Sequence, residues 1–371
     1  MKNVAFASKL LLPMARGYLF NTLNVSIEQD VQGTRLYDLS LLLVDQPYLT
    51  RSVRRLEYNV ASSGEPNVDL LTFSHYKTFL NLPHVSALSI SCQDPKIHLS
   101  GHPAAIPRFG WRTLLHHYLP AGTLTTLVIQ GIGVLTPILD ILSTDSLRDF
   151  TLDHCMIRPA EAQKGQTPFP LLKRLSLEVA AFSFALPREP RHIYEVFNHL
   201  HTLESLKIYG SEAPLLDIFK SYKLIEHLLK TLEIEWDFCY GDVFNLRPGP
   251  FEVQCTFKRL EKLRLQGLQH FTLNIKLEIM AHHIYHGERS CHALAKVMSQ
   301  YQDIFNTCAF PALRTAKIGV VMTVLATSAK SEEAEEYRKD IKRVLEQGLE
   351  GFVGEEGLEV SSYVDVFVSG S

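Results

Sequence analysis

The residues best suited to chemistry lie between positions 282 and 292, His-His-Ile-Tyr-His-Gly-Glu-Arg-Ser-Cys-His, where His282, His283, His286 and His292 surround Cys291. Imidazole and thiolate are both transition-metal ligands. On a helix His282 and His286 would share one face, with Glu278 one turn earlier. A hydrolytic zinc helix also needs a glutamate between its two histidines to work as general base. Ile284 and Tyr285 stand there instead, and Gly287 ends the helix directly afterwards. The stretch therefore reads as a histidine-rich helix without a metal, and a metal-dependent enzyme using this insertion is the alternative. The pair His116-His117 reads the same way. Glu233 and Glu235 lie two apart on one strand and so share a face, where they are solvated contacts rather than a general acid and base. GxSxG, GxxxxGK[ST] and GxGxxG are all missing; the GIGVL beginning at Gly131 has no third glycine and reads as a tight turn. No catalytic residue, metal ligand or cofactor site is expected, and the chain reads as non-enzymatic.

The bulk composition narrows the partners. With 46% hydrophobic residues in 371, a sizeable core is affordable, and 37 basic against 40 acidic residues create no field that would gather nucleic acid or an anionic membrane. Neither is expected as a partner. The longest apolar runs, Leu41 to Val44 and Val320 to Ala326, fall far short of the roughly 18 residues a membrane helix needs. Six cysteines without a CxxC pair read as reduced thiols. Lys2, Lys9 and Arg16 precede the first acid, Glu28, a pattern whose alternative reading is an organelle transit peptide; Lys9 splits the apolar stretch that a secretory signal would need, and an intracellular protein, cytoplasmic or nuclear, is expected.

The elements that would hold any site come from a recurring hexamer with apolar residues at positions one, four and six. It occurs as Val53-Leu56-Tyr58, Val85-Leu88-Ile90, Leu124-Leu127-Ile129, Leu147-Phe150-Leu152, Leu172-Leu175-Leu177, Leu203-Leu206-Ile208, Leu229-Leu232-Ile234, Leu260-Leu263-Leu265 and Leu313-Ala316-Ile318. Positions four and six alternate with polar residues, as on a strand with one buried face. Leu82-Pro83, Phe169-Pro170 and Phe310-Pro311 stand just upstream and read as helix-to-strand joints. Segments 193–200 and 215–229 carry helical apolar spacing, and 279–305 reads as a long helical insertion. A single strand-and-helix unit cannot bury its own apolar edge, so the copies must stack. The predicted fold is α/β: a leucine-rich-repeat-like solenoid with an inner parallel sheet and outer helices. Cys155, three residues after Leu152, stands where such repeats place Asn or Cys to satisfy backbone groups at the turn, and an ordinary core thiol is the equal alternative. The predicted organisation is an N-terminal cap over 1–22, the solenoid over 23–325, and a cap over 326–371 made of a helix at Ser331–Leu349 and an edge strand near Leu358–Val368.

In that geometry the residues beside positions four and six face the concavity: Arg55, Glu57, Asp149, Thr151, Arg174, Ser176, Ser205, Lys207, Glu233, Glu235, Lys262, Arg264 and Lys317. Their mixed signs suit a protein partner better than a polyanion, which would favour an unbroken basic stripe.

The segment ASKLLLPMARGYLFNTLNV, 7–25, resembles the end of the F-box and the entry into the repeats of fungal F-box-like leucine-rich-repeat proteins. Ser8, Lys9, Pro13, Ala15, Arg16, Leu19 and Phe20 carry the likeness, and Tyr48 to Val60 resembles the first well-formed strand of that family. The resemblance implies a substrate receptor of a ubiquitin ligase. Leu11 replaces the usual tryptophan, and the earlier two-thirds of the F-box are absent, so adaptor binding is doubtful and the residues present support the substrate-selecting half.

Overall fold

The structure, a computed structural model, describes residues 17–28, 34–61, 78–92, 111–131, 141, 144–153, 155, 171–178, 202–210, 228–238, 265–280, 310–326, 331–349 and 359–370. The chain divides into two compact units, Met1–Leu172 and Lys173–Ser371. Both are α/β in type and solenoid-like, with strands that are all parallel and each paired with the next in sequence.

The first unit contains β1 (Thr22–Glu28), β2 (Arg55–Ala61), β3 (Ala87–Cys92), β4 (Thr126–Gln130) and β5 (Asp149–Asp153). Equal positions of the hexamer pair laterally. Leu23, Leu56, Leu88, Leu127 and Phe150 form one row, and Val25, Tyr58, Ile90, Ile129 and Leu152 the next. No residue in either row is more than 6% exposed. Burying each such side chain stabilises the fold by about 1.5–3 kcal/mol before the entropy of ordering is subtracted. A slip of one residue would turn the whole row to water, which fixes the register.

The second unit contains β6 (Arg174–Glu178), β7 (Ser205–Gly210), β8 (Thr231–Phe238), β9 (His270–Met280), β10 (Thr315–Ala326) and β11 (Glu359–Gly370). Its rows are Leu175, Leu206, Leu232, Phe271, Ala316 and Leu177, Ile208, Ile234, Leu273, Ile318. All are buried.

Within each unit the rungs are also tied by one repeated backbone device. The carbonyl at position two accepts the N–H groups of positions two and three of the following rung. Asn21 takes Arg54 and Arg55, Arg54 takes Ser86 and Ala87, and Ser86 takes Thr125 and Thr126, all at 2.8–3.1 Å. In the second unit Lys173, Glu204, Lys230 and Gln269 do the same for the rungs after them. A bent chain entering a strand would otherwise leave these donors unpaired.

At Pro83 and Pro311 the upstream proline belongs to a turn, while Phe169-Pro170 lies outside the described residues. The Leu82 carbonyl accepts the Val85 N–H and that of Phe310 accepts the Leu313 N–H, which puts Pro83 and Pro311 second in four-residue turns, the place where a fixed φ is favourable. Leu265 and Leu268 close the same turn without proline, at 3.1 Å.

That last turn corrects the repeat series. The rung after β8 is Leu268-Phe271-Leu273, eight residues beyond the expected Leu260-Leu263-Leu265, and Leu265 supplies the turn instead. Residues 278–280 belong to β9, so the insertion expected to begin at 279 as a helix begins as strand, and the helical phase relating Glu278 to His282 is lost. A further rung, Leu23-Val25 on β1, precedes the first copy read from the sequence.

Helices are sparse among the described residues: Thr34–Asp45, Trp111–Tyr118, Ser331–Leu349 and a 3-10 turn at Pro47–Ser52. Segments 193–200 and 215–227 lie outside the described residues, and 228–230 is the turn into β8. On Thr34–Asp45 only part of the apolar run 41–44 goes inside: Leu43 is buried while Leu41, Leu42 and Val44 are exposed. The terminal helix packs against β11, buries Ile341, and carries the pairs Arg338–Glu335 (3.6 Å), Lys342–Glu346 (3.7 Å) and Arg343–Asp340 (2.8 Å). β11 pairs with β10 over all twelve residues and extends the ladder by one rung.

Candidate functional site

Because side chains alternate along a strand, each sheet has a polar face opposite its buried rows. On the first unit this face carries an amide and hydroxyl ladder. Asn59 Nδ2 donates to Asn24 Oδ1 (3.0 Å), Asn24 Nδ2 to Glu57 Oε2 (3.3 Å), and Gln130 Nε2 to Asp153 Oδ2 (2.8 Å). Arg55 approaches Glu57 at 3.8 Å, and Thr126 donates to Asp149 at 3.4 Å. Cys155 is buried behind the end of β5, its Sγ donating to the carbonyls of Asp153 (3.1 Å) and Ile129 (3.5 Å), so it satisfies backbone at the turn as its position implied.

The second unit holds a denser array. Lys207 on β7 reaches Glu233 (2.7 Å) and Glu235 (3.4 Å) on β8, and Lys276 on β9 pairs with Glu235 from the other side. Asn274 donates through Nδ2 to Glu233 at 3.3 Å, and its Oδ1 accepts from the Tyr363 hydroxyl at 2.7 Å. Glu235 is more enclosed than Glu233, 13% against 30% exposed, with an ammonium group on either side of it. Partial desolvation pulls the Lys207 pKa down, but Glu233 and then Glu235 outweigh it and leave the group above the ordinary lysine value. Tyr363 is raised as well, first by burial and then by Asp365, Glu233 and Glu235. At the strand entry Glu204 sits between Lys230 (2.8 Å) and Lys173 (3.2 Å), whose hydrogen bonds and charges hold it below the usual glutamate range. Half-exposed pairs contribute at most about 1 kcal/mol each, so this array orients side chains more than it stabilises the fold.

Tyr363 crosses a strand to reach Asn274. Its lateral neighbour on β10 is Gly319, whose own neighbour on β9 is Asn274. A Cβ at Gly319 would fall 2.2 Å from the tyrosine Cζ, so only glycine lets the ring lie there. Lys317 Nζ stands over that ring, 4.7 Å from its centre.

Of the residues expected on this face, Arg55, Glu57, Asp149 and Thr151 lie on the first unit, and Arg174, Ser176, Ser205, Lys207, Glu233, Glu235 and Lys317 on the second. The structure brings Lys207, Glu233 and Glu235 into contact. Lys262 and Arg264 lie outside the described residues, and the strand beside β8 instead presents Thr272, Asn274 and Lys276. Those three and Tyr363 were missed; the alternation Phe271, Leu273, Ile275 was the signal that could have found the first three.

The 282–292 histidine and cysteine stretch lies outside the described residues. His116 and His117 are exposed on the Trp111–Tyr118 helix. Gly131, just past β4, takes φ +70° and its N–H donates across to the Asp153 carbonyl on β5 (2.9 Å); the rest of the GIGVL stretch lies outside the described residues. Among the described residues no three His, Cys, Asp or Glu side chains gather as a metal set, and no helix is long and apolar enough to cross a membrane. An open cleft of about 340 Å³ on the first unit is lined by Arg51, Asn81, His117 and Tyr118 among others. No protein family model matches the chain, and no curated protein does either.

Proposed function

We propose that the chain is a non-enzymatic interaction protein, a leucine-rich-repeat-type solenoid completed by outer helices, whose polar strand face is the concave one and holds a protein partner. The observation that carries this reading is the order Lys207, Glu233 with Glu235, then Lys276 over three adjacent strands. A surface of alternating, fixed charges discriminates partners by complementarity, whereas a polyanion would need one continuous basic stripe. Its resemblance to F-box-like receptors gives the partner the character of a substrate to be selected, inside the cell. The test is affinity capture from the native cell with Glu233→Lys/Glu235→Lys beside the unaltered chain, folding being checked by circular dichroism. Loss of a specific partner is expected; unchanged capture rejects this face. The same capture probed for the ubiquitin-ligase adaptor decides between a receptor and a free-standing binder.

A further inference from the structure

Within the array on the second unit the cations are not equivalent. Lys207 and Lys276 are spent on Glu233 and Glu235. Lys317 is exposed and, among the described residues, meets no carboxylate at ion-pair distance; its contact is the Tyr363 ring. The ring is itself fixed, since its hydroxyl is tied to Asn274 and its edge lies over the bare backbone of Gly319. An aromatic face attracts an ammonium through its quadrupole but does not neutralise it. Lys317 is thus held in place with its charge available. Hydroxyls flank it in the same lateral row, Thr272 on β9 and Ser361 on β11, and His270 with Thr315, joined at 2.8 Å, lie one row before. The nearest acids on β11 are Glu359, one row before Ser361, and Asp365, two rows beyond it.

We infer that Lys317, seated on Tyr363 and bordered by Thr272 and Ser361, is the anchor for a carboxylate side chain of an acidic segment of the protein partner. This rests on the interaction-protein reading above. An ammonium that is positioned beforehand and not internally paired loses little entropy and no ion pair when a carboxylate arrives, and adjacent hydroxyls can donate to the second carboxylate oxygen. The paired lysines would have to break an existing bridge first.

The experiment measures fluorescence anisotropy of the full chain with three fluorescein-labelled peptides of fourteen residues: alternating Glu and Ser, alternating Gln and Ser, and alternating phosphoserine and Gly. The Glu peptide should bind, and Lys317→Gln should weaken it by about tenfold. Lys317→Arg should retain binding, and Lys342→Gln on the terminal helix, an equal change in net charge, should leave it unaltered. Equal loss in Lys317→Gln and Lys342→Gln overturns the anchor, because general attraction then accounts for binding. No binding of the Glu peptide also overturns it, as does Lys317-dependent binding of the phosphoserine peptide alone. If Lys317→Gln changes neither peptide binding nor partner capture while reversal at Glu233 and Glu235 abolishes capture, the anchor fails and the face stands. If both variants leave capture intact, both fall.

Discussion

Replacing Gly319 by Ala tests a place where a side chain of one strand occupies the space beside another. Nothing in the backbone resists alanine there, so the cost is that of moving the Tyr363 ring, whose Cζ would be 2.2 Å from the new methyl. The ring can swing, because the clashing atoms are the far end of a flexible side chain. Swinging loses the 2.7 Å bond to Asn274, about 1 kcal/mol, and the Lys317 contact, about 0.5–1 kcal/mol at an exposed site. Alanine recovers about 0.5 kcal/mol through a less flexible unfolded chain. The expected net loss is about 1–1.5 kcal/mol. The decisive comparison is a double-mutant cycle with Tyr363→Ala in urea denaturation. In the Tyr363→Ala background, Gly319→Ala should be neutral or slightly stabilising, a coupling of about 1.5–2 kcal/mol. Equal destabilisation in both backgrounds would show that the ring does not depend on the missing Cβ and would refute the reasoning.

Leu268→Ala should cost about 2–5 kcal/mol, because a fully buried first-position leucine leaves a cavity between rungs; a loss below about 1 kcal/mol in denaturant melts would place the rung elsewhere. Tyr118 is buried with its hydroxyl donating to the Phe79 carbonyl, and burial pushes its pKa well above the ordinary tyrosine value. Since the folded state keeps that proton, the stability linked to it is complete below the unfolded value of about 10 and is lost as pH rises from there toward the folded-state value. NMR of the Tyr118 ring carbon should show no ionisation near pH 10 in the folded chain, and Tyr118→Phe should flatten the alkaline fall in stability; ordinary titration of Tyr118 would contradict this.

Much of the ladder was legible because its signal is local. A strand with one wet face must alternate, and a chain entering it by a turn must show an apolar residue shortly before, so Leu56-Tyr58, Leu127-Ile129 and Leu206-Ile208 identify themselves. The terminal helix was equally plain, with serine first and acids in its opening turn. The weaker entry at Phe20-Leu23-Val25 carried the same spacing but was not counted among the copies of the hexamer. Between 260 and 273 two successive hexamers, 260–265 and 268–273, both satisfy the pattern, and nothing local separates Leu263 from Phe271. The choice belongs to lateral pairing: only the strand starting at His270 lets the Lys230 carbonyl bind the Gln269 and His270 N–H groups and sets Phe271 beside Leu232.

The composition and spacing of the chain by themselves determined that parallel rungs would stack with leucines inside and charges outside, because burial and strand periodicity act within a few residues. Which lysine meets which glutamate, and that Tyr363 would lie across Gly319 some forty residues earlier to reach Asn274, was decided only by the tertiary structure. Such contacts run across strands, where neighbours in space are set by register rather than by distance along the chain.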